Sequence, residues 1–242
     1  MSVAASTIAG RELSGERRQS FFVFMALALI AVVLTGFTHR YYVRLMSDKP
    51  MPLIVHIHAA AFLGWMLLFL AQSTLIARNR VRVHRQLGAI AVLASPIIVV
   101  LGLATAVTGA RDGWNPGGFF PDAAGFMFLG IANLLLFAGF FIAALAYRHR
   151  KAIHGRLMLL AVIGGFLWPA ITRLPYVSSR IPLMFGALTI LVVAGPVHDL
   201  ASRRRIHPAY LIGAGAIAVA YVLIVPIGTS AAWHHIARWL IG

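Results

Sequence analysis

Three histidines recur in the same local setting along this chain. His84, His154 and His207 each follow a run of basic residues and stand where an apolar segment begins, in the stretches RNRVRVHRQLG, YRHRKAIHGRLM and SRRRIHPAYLIG. Neutral imidazoles are common metal ligands, and three histidines with one open position form a typical catalytic metal site. If the three junctions converge, they predict such a site. Alternatively, the imidazoles anchor the segment ends among lipid headgroups.

A second group of polar residues lies inside the apolar stretch VHIHAAAFLGWMLLFLAQSTLIA. Its members His58, Trp65 and Gln72 are spaced by seven, so on a helix they form one stripe. Polar groups left in hydrocarbon are costly, and the stripe is therefore expected to face the interior of a helical bundle. His56 points to a different side and is expected near the headgroups.

Two histidines on neighbouring helices at one depth could supply both axial nitrogens of a b-type haem, with a buried arginine pairing with a propionate. The candidates at one membrane surface are His84, His154, His198 and His207, and those at the other are His58 with His39, His234 or His235. This pattern predicts an electron-transfer role.

Arg173 offers a competing interpretation. It follows the stretch FLWPAIT and is the one arginine that does not fall clearly in a loop. Together with the stripe of His58, Trp65 and Gln72 it could form a pocket for a small anionic or amphipathic ligand. The protein would then bind or transport that ligand.

The composition decides which elements must position these residues. The 242 residues are 60% hydrophobic and 11% charged, with a mean hydropathy of +0.86, whereas about 25% of a soluble chain is charged. The chain is therefore a polytopic membrane protein. It has no cysteine, which excludes disulfides, thiolate zinc sites and iron–sulfur clusters. The net charge of +15 lies in short runs between apolar segments, so no nucleic-acid partner is expected.

Seven segments are long enough to cross a bilayer, which takes roughly 20 apolar residues. They cover about 20–38, 53–77, 87–108, 123–147, 157–175, 181–199 and 208–228. The predicted fold class is all-α, a seven-span helical bundle over 20–228. A disordered tail is expected at 1–19, and an amphipathic interfacial tail at 229–242 with Trp233 and Trp239 at headgroup level. The loop between the third and fourth spans is expected to lie flat outside the membrane.

The basic residues also predict orientation. With the N-terminus inside, 14 of the 21 Lys and Arg residues fall on the cytoplasmic side, so the positive-inside rule favours an N-in, C-out protein of a bacterial cytoplasmic membrane that contacts anionic headgroups. Small residues at 213–220 would suit a homo-oligomer or an accessory subunit of a larger membrane complex. No Asp or Glu is expected in mid-membrane, which disfavours a carboxylate relay for protons.

The stretch HIHAAAFLGWMLLFLAQSTLIARNRVRVHRQLG resembles a widespread family of uncharacterised bacterial membrane proteins. The family pattern is a histidine-led helix with aromatic and Gln positions, a basic loop and the motif HRxLG, and KAIHGRLMLLAVIGGFLWPAITR is similar to its second half. The resemblance covers about residues 51–175. The positions that carry it are His58, Trp65, Gln72, His84, Arg85, His154 and Arg173. By analogy in helix number and histidines, the plan is also similar to the haem-binding bundles of cytochrome-b-type ascorbate and ferric reductases.

These observations favour a histidine-lined site for b-type haem or another redox cofactor. The predicted cofactor-binding residues are His58, His84, His154, Arg173, His207, Trp65 and Gln72, and the predicted metal ligands are His84, His154 and His207. Ligand binding, transport and an accessory role remain the alternatives, and an enzymatic activity is left open.

Overall fold

The computed structural model describes residues 20–38, 41, 43, 46, 51–115, 119–178 and 180–242, and within these ranges it is all-helical. The helices are α1 (Ser20–Thr38), α2 (Leu53–Ala77), α3 (Val81–Arg111), α4 (Ala123–Ala146), α5 (Lys151–Ile171), α6 (Ile181–Arg203), α7 (Pro208–Gly228) and α8 (Ala231–Ile241). The first seven are long and apolar enough to cross a membrane. The predicted fold class is therefore confirmed, whereas the tail at 1–19 lies outside the described residues.

Two helices begin earlier than their apolar stretches. α3 starts at Val81 rather than at 87, and α5 starts at Lys151 rather than at 157. Lys, Arg and Gln are good helix formers, so the helices already begin in the basic junctions that precede the apolar stretches. As a result, His84 and His154 lie inside the first turn of a helix, where their side chains have fixed directions.

Helix α5 is the centre of the bundle. Fourteen of its 21 residues are buried, and it packs against α4, α6 and α7. Helix α1 also lies against α5, because a Cβ added at Gly36 would fall 2.3 Å from the carbonyl oxygen of Ala170. Close approach through small residues is the usual way in which membrane helices pack. Residues of α5 are consequently held between neighbours on most sides.

Helices α2, α3, α4 and α5 pack in sequence, each against the next. Helices α2 and α5, both fully described, are not a closely packed pair along their backbones. They meet through side chains instead, with the rings of Phe62 and Phe166 4.7 Å apart. The space between these four helices is filled at mid-height by Trp65, which packs edge-on against Phe137 and Phe141.

The bundle has two ends, which carry different residues. The His84 end holds the connections 78–80, 147–150 and 204–207, and the Arg173 end holds the connections that follow α3 and α5. At the Arg173 end the described part of the loop after α3 does not lie flat. Phe120 is 2% exposed and Phe119 packs against Trp168, because burying these rings among the helix ends removes apolar surface from water.

Helix α8 lies beside this end of the bundle. The indole of Trp233 is buried and donates a hydrogen bond of 2.8 Å to the carbonyl oxygen of Ala124. Trp239 is 82% exposed. The indole of Trp233 therefore has a partner on α4, whereas that of Trp239 is open to the surroundings, and the headgroup level of the two tryptophans stays a prediction.

Candidate functional site

The stripe on α2 lies on the inward face of that helix. Trp65 is 4% exposed, and His58 and Gln72 are half-buried. Each of the three has a buried polar atom that lacks a hydrogen-bond partner among the described residues: Nδ1 of His58, Nε1 of Trp65 and Oε1 of Gln72. Buried polar atoms are usually paired. Three unpaired ones on a single stripe mark this face as a place where a bound group could supply the missing partners.

The structure brings two of the predicted ligand histidines together. The rings of His84 on α3 and His154 on α5 lie 6.3 Å apart, with an interplanar angle of 80°. Both are half-buried at the His84 end. The amide of Gln72 lies on the same side, since its Nε2 would be 3.6 Å from a Cβ added at Gly88, one turn beyond His84.

The hydrogen bonds of the pair prepare one imidazole for coordination. Nδ1 of His154 is 2.8 Å from the carbonyl oxygen of Ala144, and since a carbonyl only accepts, Nδ1 carries the proton. The Nε2 atom of neutral His154 then has a free lone pair. This is the arrangement that orients metal-bound histidines in proteins. Nδ1 of His84 is buried without a partner in the described part of the chain.

The separation of the two ring centroids can be compared with that of two imidazoles that bind one metal ion. A metal–imidazole bond is about 2.0–2.1 Å long, so two nitrogens on opposite sides of one ion lie about 4 Å apart. The ring centroids are farther apart by one ring radius on each side, which is compatible with the observed 6.3 Å. The donor set of two neutral imidazoles is also the set that holds a six-coordinate haem iron.

His207 does not join this pair. Its side chain accepts a 3.1 Å hydrogen bond from the backbone N–H of Ala209 and so caps α7. Its backbone N–H donates to Asp199. Burial and the nearby positive charge of Arg156 lower the pKa of His207. No group of three metal-ligating His, Asp or Glu side chains occurs within the described ranges, so the three junction histidines do not converge into the predicted set.

The neighbourhood of His207 contains a buried ion pair that the sequence analysis missed. Arg156 and Asp199 are 3% and 1% exposed. The guanidinium donates two hydrogen bonds to the carboxylate, one of them 2.9 Å from Nε to Oδ2. Arg203, four residues after Asp199, lies 3.8 Å from the same carboxylate. The apolar count had ended the sixth span at 199, whereas α6 continues to Arg203 and carries this carboxylate into the bundle.

Other predicted histidines have local roles. His198 stacks on Phe21 with ring centroids 4.0 Å apart, and Nδ1 of His56 lies 2.6 Å from the hydroxyl of Tyr41. His234 forms a 2.8 Å ion pair with Asp122. This contact raises the pKa of His234, while the backbone N–H of Gly125 and the same histidine lower the pKa of Asp122. His39 lies outside the described residues.

At the opposite end of the bundle Arg173 is enclosed by aromatic rings. The side chain is 5% exposed, and its guanidinium carbon lies 4.8 Å from the ring centroid of Phe37 and 4.7 Å from that of Trp114. It also donates to the carbonyl oxygen of Pro169. Aromatic faces stabilise a desolvated guanidinium through cation–π attraction.

Arg173 borders a large cavity at this end, with a volume of about 1580 Å³. His58 and Asn133 also line it, so the predicted association of His58 with Arg173 holds in space. Trp65 and Gln72 are not among its lining residues. Asn133 is 1% exposed. Its oxygen accepts a 2.9 Å hydrogen bond from Tyr221, whereas its Nδ2 has no partner among the described residues.

Comparison of the chain with protein-family models, with curated proteins and with solved structures gave no match. The resemblance to the family with the HRxLG motif therefore stays a prediction. What the described geometry adds is a division of the predicted residues between two places: His84, His154 and Gln72 at one end, and His58 and Arg173 at the other.

Proposed function

We propose that this integral membrane protein binds a redox-active metal cofactor, b-type haem, at the His84 end, and that His84 and His154 would hold it. The observation that supports the proposal is the 6.3 Å separation of the two imidazole rings. Haem iron with two histidine ligands would supply one-electron transfer.

The protein's own residues would orient and tune this site. The carbonyl oxygen of Ala144 fixes the proton of His154 on Nδ1 and directs Nε2 away from α4. Trp65 presents a buried N–H without a partner in the described ranges, and this donor is available to an acceptor at the edge of a bound group. The rings of Phe137 and Phe141 exclude water from the space next to it.

Arg173 has no part in this centre. Residues 154 and 173 are separated by about 28 Å along the helix axis, so the arginine is too distant to pair with a propionate at the His84 end. The buried arginine of that end, Arg156, already binds Asp199. The buried arginine that was expected to pair with a haem propionate is therefore not Arg173.

The distribution of basic residues would place the His84 end at the cytoplasmic surface of a bacterial inner membrane. Electrons would then enter or leave the centre near the cytoplasmic headgroups. Arg85, exposed and adjacent to His84, is positioned to contact anionic lipid beside the site.

The proposal is tested by absorption spectra of the detergent-purified protein, oxidised and then reduced with dithionite, together with its metal content. We expect a Soret band in the wild-type protein, with loss of that band in His84→Ala and in His154→Ala. His149→Ala is the matched control, because His149 is exposed at the same end, and it should keep the wild-type spectrum.

Two other outcomes are informative. A stoichiometric transition metal without a Soret band, lost in the same two variants, would replace haem by a bare ion and keep the two histidines as ligands. A protein expressed in haem-replete and metal-replete cells that contains neither would overturn the proposal.

A further inference from the structure

The cavity at the Arg173 end is separate from the proposed histidine centre. It is lined by residues of α1, α2, α3, α4 and α5 and by the segment after α5, and neither His84 nor His154 belongs to its lining. Its volume of about 1580 Å³ exceeds the roughly 300–1,000 Å³ of ordinary small-molecule pockets. Aliphatic and aromatic side chains form most of its wall, so the cavity has room for a ligand with a long apolar chain.

Part of the cavity wall is exposed on helices that are suited to a membrane. Leu34 of α1 and Leu63 of α2 line the cavity and are exposed. Both helices are long and apolar enough to cross a bilayer, so the surface that these leucines expose meets hydrocarbon. A ligand dissolved in the bilayer can therefore reach the cavity from the side of the bundle.

Arg173 does not decide the charge of such a ligand. Its guanidinium lies against the rings of Phe37 and Trp114, donates to the carbonyl oxygen of Pro169 and has a further interaction within the chain. Asp112, the carboxylate on the wall, is exposed at the end of α3. A charged head would lose its hydration in the buried part of the cavity without gaining a counter-charge, which is costly. The ligand that suits this part of the wall is therefore neutral.

Asn133 supplies a hydrogen-bond donor for a neutral head. It lines the cavity and is 1% exposed. Its amide oxygen accepts a 2.9 Å hydrogen bond from the hydroxyl of Tyr221, whereas its Nδ2 is buried without a partner among the described residues. An amide nitrogen only donates, and a buried donor that lacks an acceptor is unfavourable. The ligand must therefore offer an acceptor.

His58 adds a second polar group to the same wall. It lines the cavity, and its Nδ1 is buried without a partner in the described part of the chain. The ring of Phe62 lies 4.0 Å from that of His58 and 4.7 Å from that of Phe166. These apolar rings limit the access of water, and a hydrogen bond made beside them is stronger than one made in water.

We propose that this cavity binds a neutral lipid that carries a carbonyl group in its head. The carbonyl oxygen accepts a hydrogen bond from Nδ2 of Asn133, and the apolar chain follows the wall formed by α1, α2 and α3. This inference does not depend on the cofactor proposal, because the cavity lining includes neither His84 nor His154.

The site is tested with the full-length protein in nanodiscs of an ether-linked phosphatidylcholine, which has no ester carbonyl to compete. The probe is an acetophenone with an ω-bromoalkyl chain, and its control is the ethylbenzene with the same chain, in which a methylene group replaces the carbonyl. Trp114 lines the cavity, and bromine quenches its fluorescence. We expect saturable quenching by both compounds, with an affinity for the ketone that is higher by roughly three- to tenfold, the effect of about one neutral hydrogen bond. Equal affinities in the wild type would overturn the proposal.

Asn133→Leu removes the donor and should make the two affinities equal. Tyr221→Phe is the matched control, because it removes the hydrogen bond between Tyr221 and Asn133 but keeps Nδ2, so the preference for the ketone should remain. Because Asn133→Leu could unfold the protein, Ala59→Phe at a lining position is a second variant and should exclude both compounds. Ala216→Phe, exposed on α7 and outside the lining, should bind them as the wild type does. An undiminished preference in Asn133→Leu, or unchanged binding in Ala59→Phe, would contradict the assigned site.

The natural ligand is identified by extracting lipid from protein purified in mild detergent. An isoprenoid quinone that is present with the wild type and depleted with Ala59→Phe identifies a quinone as the occupant, whereas a diacylglycerol with the same pattern identifies a neutral glycerolipid. Equal lipid contents in both proteins, together with equal affinities for the two probes, would overturn the proposal. The absorption spectrum of the His84 end should be the same in all these variants, so failure here is distinguishable from failure of the cofactor proposal.

Discussion

Two buried arginines near the ends of one helix have different surroundings. Arg156 lies in the second turn of α5 and donates two hydrogen bonds to the carboxylate of Asp199. Arg173, about 25 Å farther along the axis, lies between the rings of Phe37 and Trp114 beside a large cavity. A buried cation with a bidentate carboxylate serves packing, because its charge is balanced within the fold. The guanidinium of Arg173 is instead stabilised by cation–π attraction to the aromatic rings around it.

The same contrast separates the histidines. At the His84 end, His207 is used as a helix cap, while the ring centroids of His84 and His154 lie 6.3 Å apart. Distance alone does not make a site, since all three are close to the same bundle end. What distinguishes the pair is that Nδ1 of His84 has no partner among the described residues and that the Nδ1 contact of His154 leaves its Nε2 to other groups.

The largest expected effect of a single change is on the Arg156 pair. Asp199→Asn leaves a buried guanidinium without its counter-charge, and we expect a loss of about 3–5 kcal/mol in the free energy of unfolding. The measurement is the midpoint of thermal unfolding in detergent, with Asp112→Asn as the control because Asp112 is exposed. Equal midpoints for Asp199→Asn and the wild type would show that the ion pair does not hold α5 against α6.

A smaller effect is expected where α1 meets α5 near the cavity. Gly36→Ala places a methyl group 2.3 Å from the carbonyl oxygen of Ala170, so α1 must move away, at a cost of about 1–3 kcal/mol. Gly215→Ala is the matched control, since nothing lies within 4 Å of its added carbon. The thermal midpoint should fall in the first variant and not in the second. A midpoint unchanged in Gly36→Ala would mean that α1 is not closely packed on α5.

The smallest effect concerns the contact between α8 and the rest of the Arg173 end. The raised pKa of His234 gives stability that is present below about pH 6.5 and is lost as pH rises through the raised value. The lowered pKa of Asp122 gives stability that is present above about pH 3.9 and is lost as pH falls. The contact is therefore strongest between these limits, and modest because both side chains are partly exposed.

Amide hydrogen exchange in α8 measures this dependence. Exchange corrected for its intrinsic pH dependence should be faster at about pH 8.5 than at about pH 6, since His234 loses its charge in that interval. Asp122→Asn should remove most of the difference. An identical pH response in that variant and in the wild type would assign the dependence to other groups.

The helix spans could be predicted because a bilayer demands long apolar runs, and such runs are visible in one dimension. The inward direction of Trp65 followed from the spacing of the stripe. The starts of α3 and α5 could not be found in this way, because their first turns contain basic residues and so do not belong to an apolar run. Two contacts could not be predicted because they depend on how the helices pack. Arg156 and Asp199 are 43 positions apart in the sequence, and the approach of His84 to His154 depends on how α3 and α5 pack on either side of α4.

The predicted convergence of three histidines failed for a local reason. Pro208 follows His207 directly, so α7 begins after the histidine and turns its side chain to the N–H of Ala209. In the other two junctions the helix begins before the histidine, and both imidazoles are half-buried. The same sequence pattern therefore occurs at two different backbone positions: inside the first turn of a helix for His84 and His154, and just before the helix for His207.

The assignment of one shared centre to His84 and His154 is tested most directly by titrating the purified protein with haemin and following the Soret band in the wild type, the two single alanine variants and the double variant. Two ligands of the same iron act as a unit, so we expect saturable binding of one haem in the wild type and an equal loss in each single variant and in the double. Binding in the double variant that matches the wild type would contradict the shared centre.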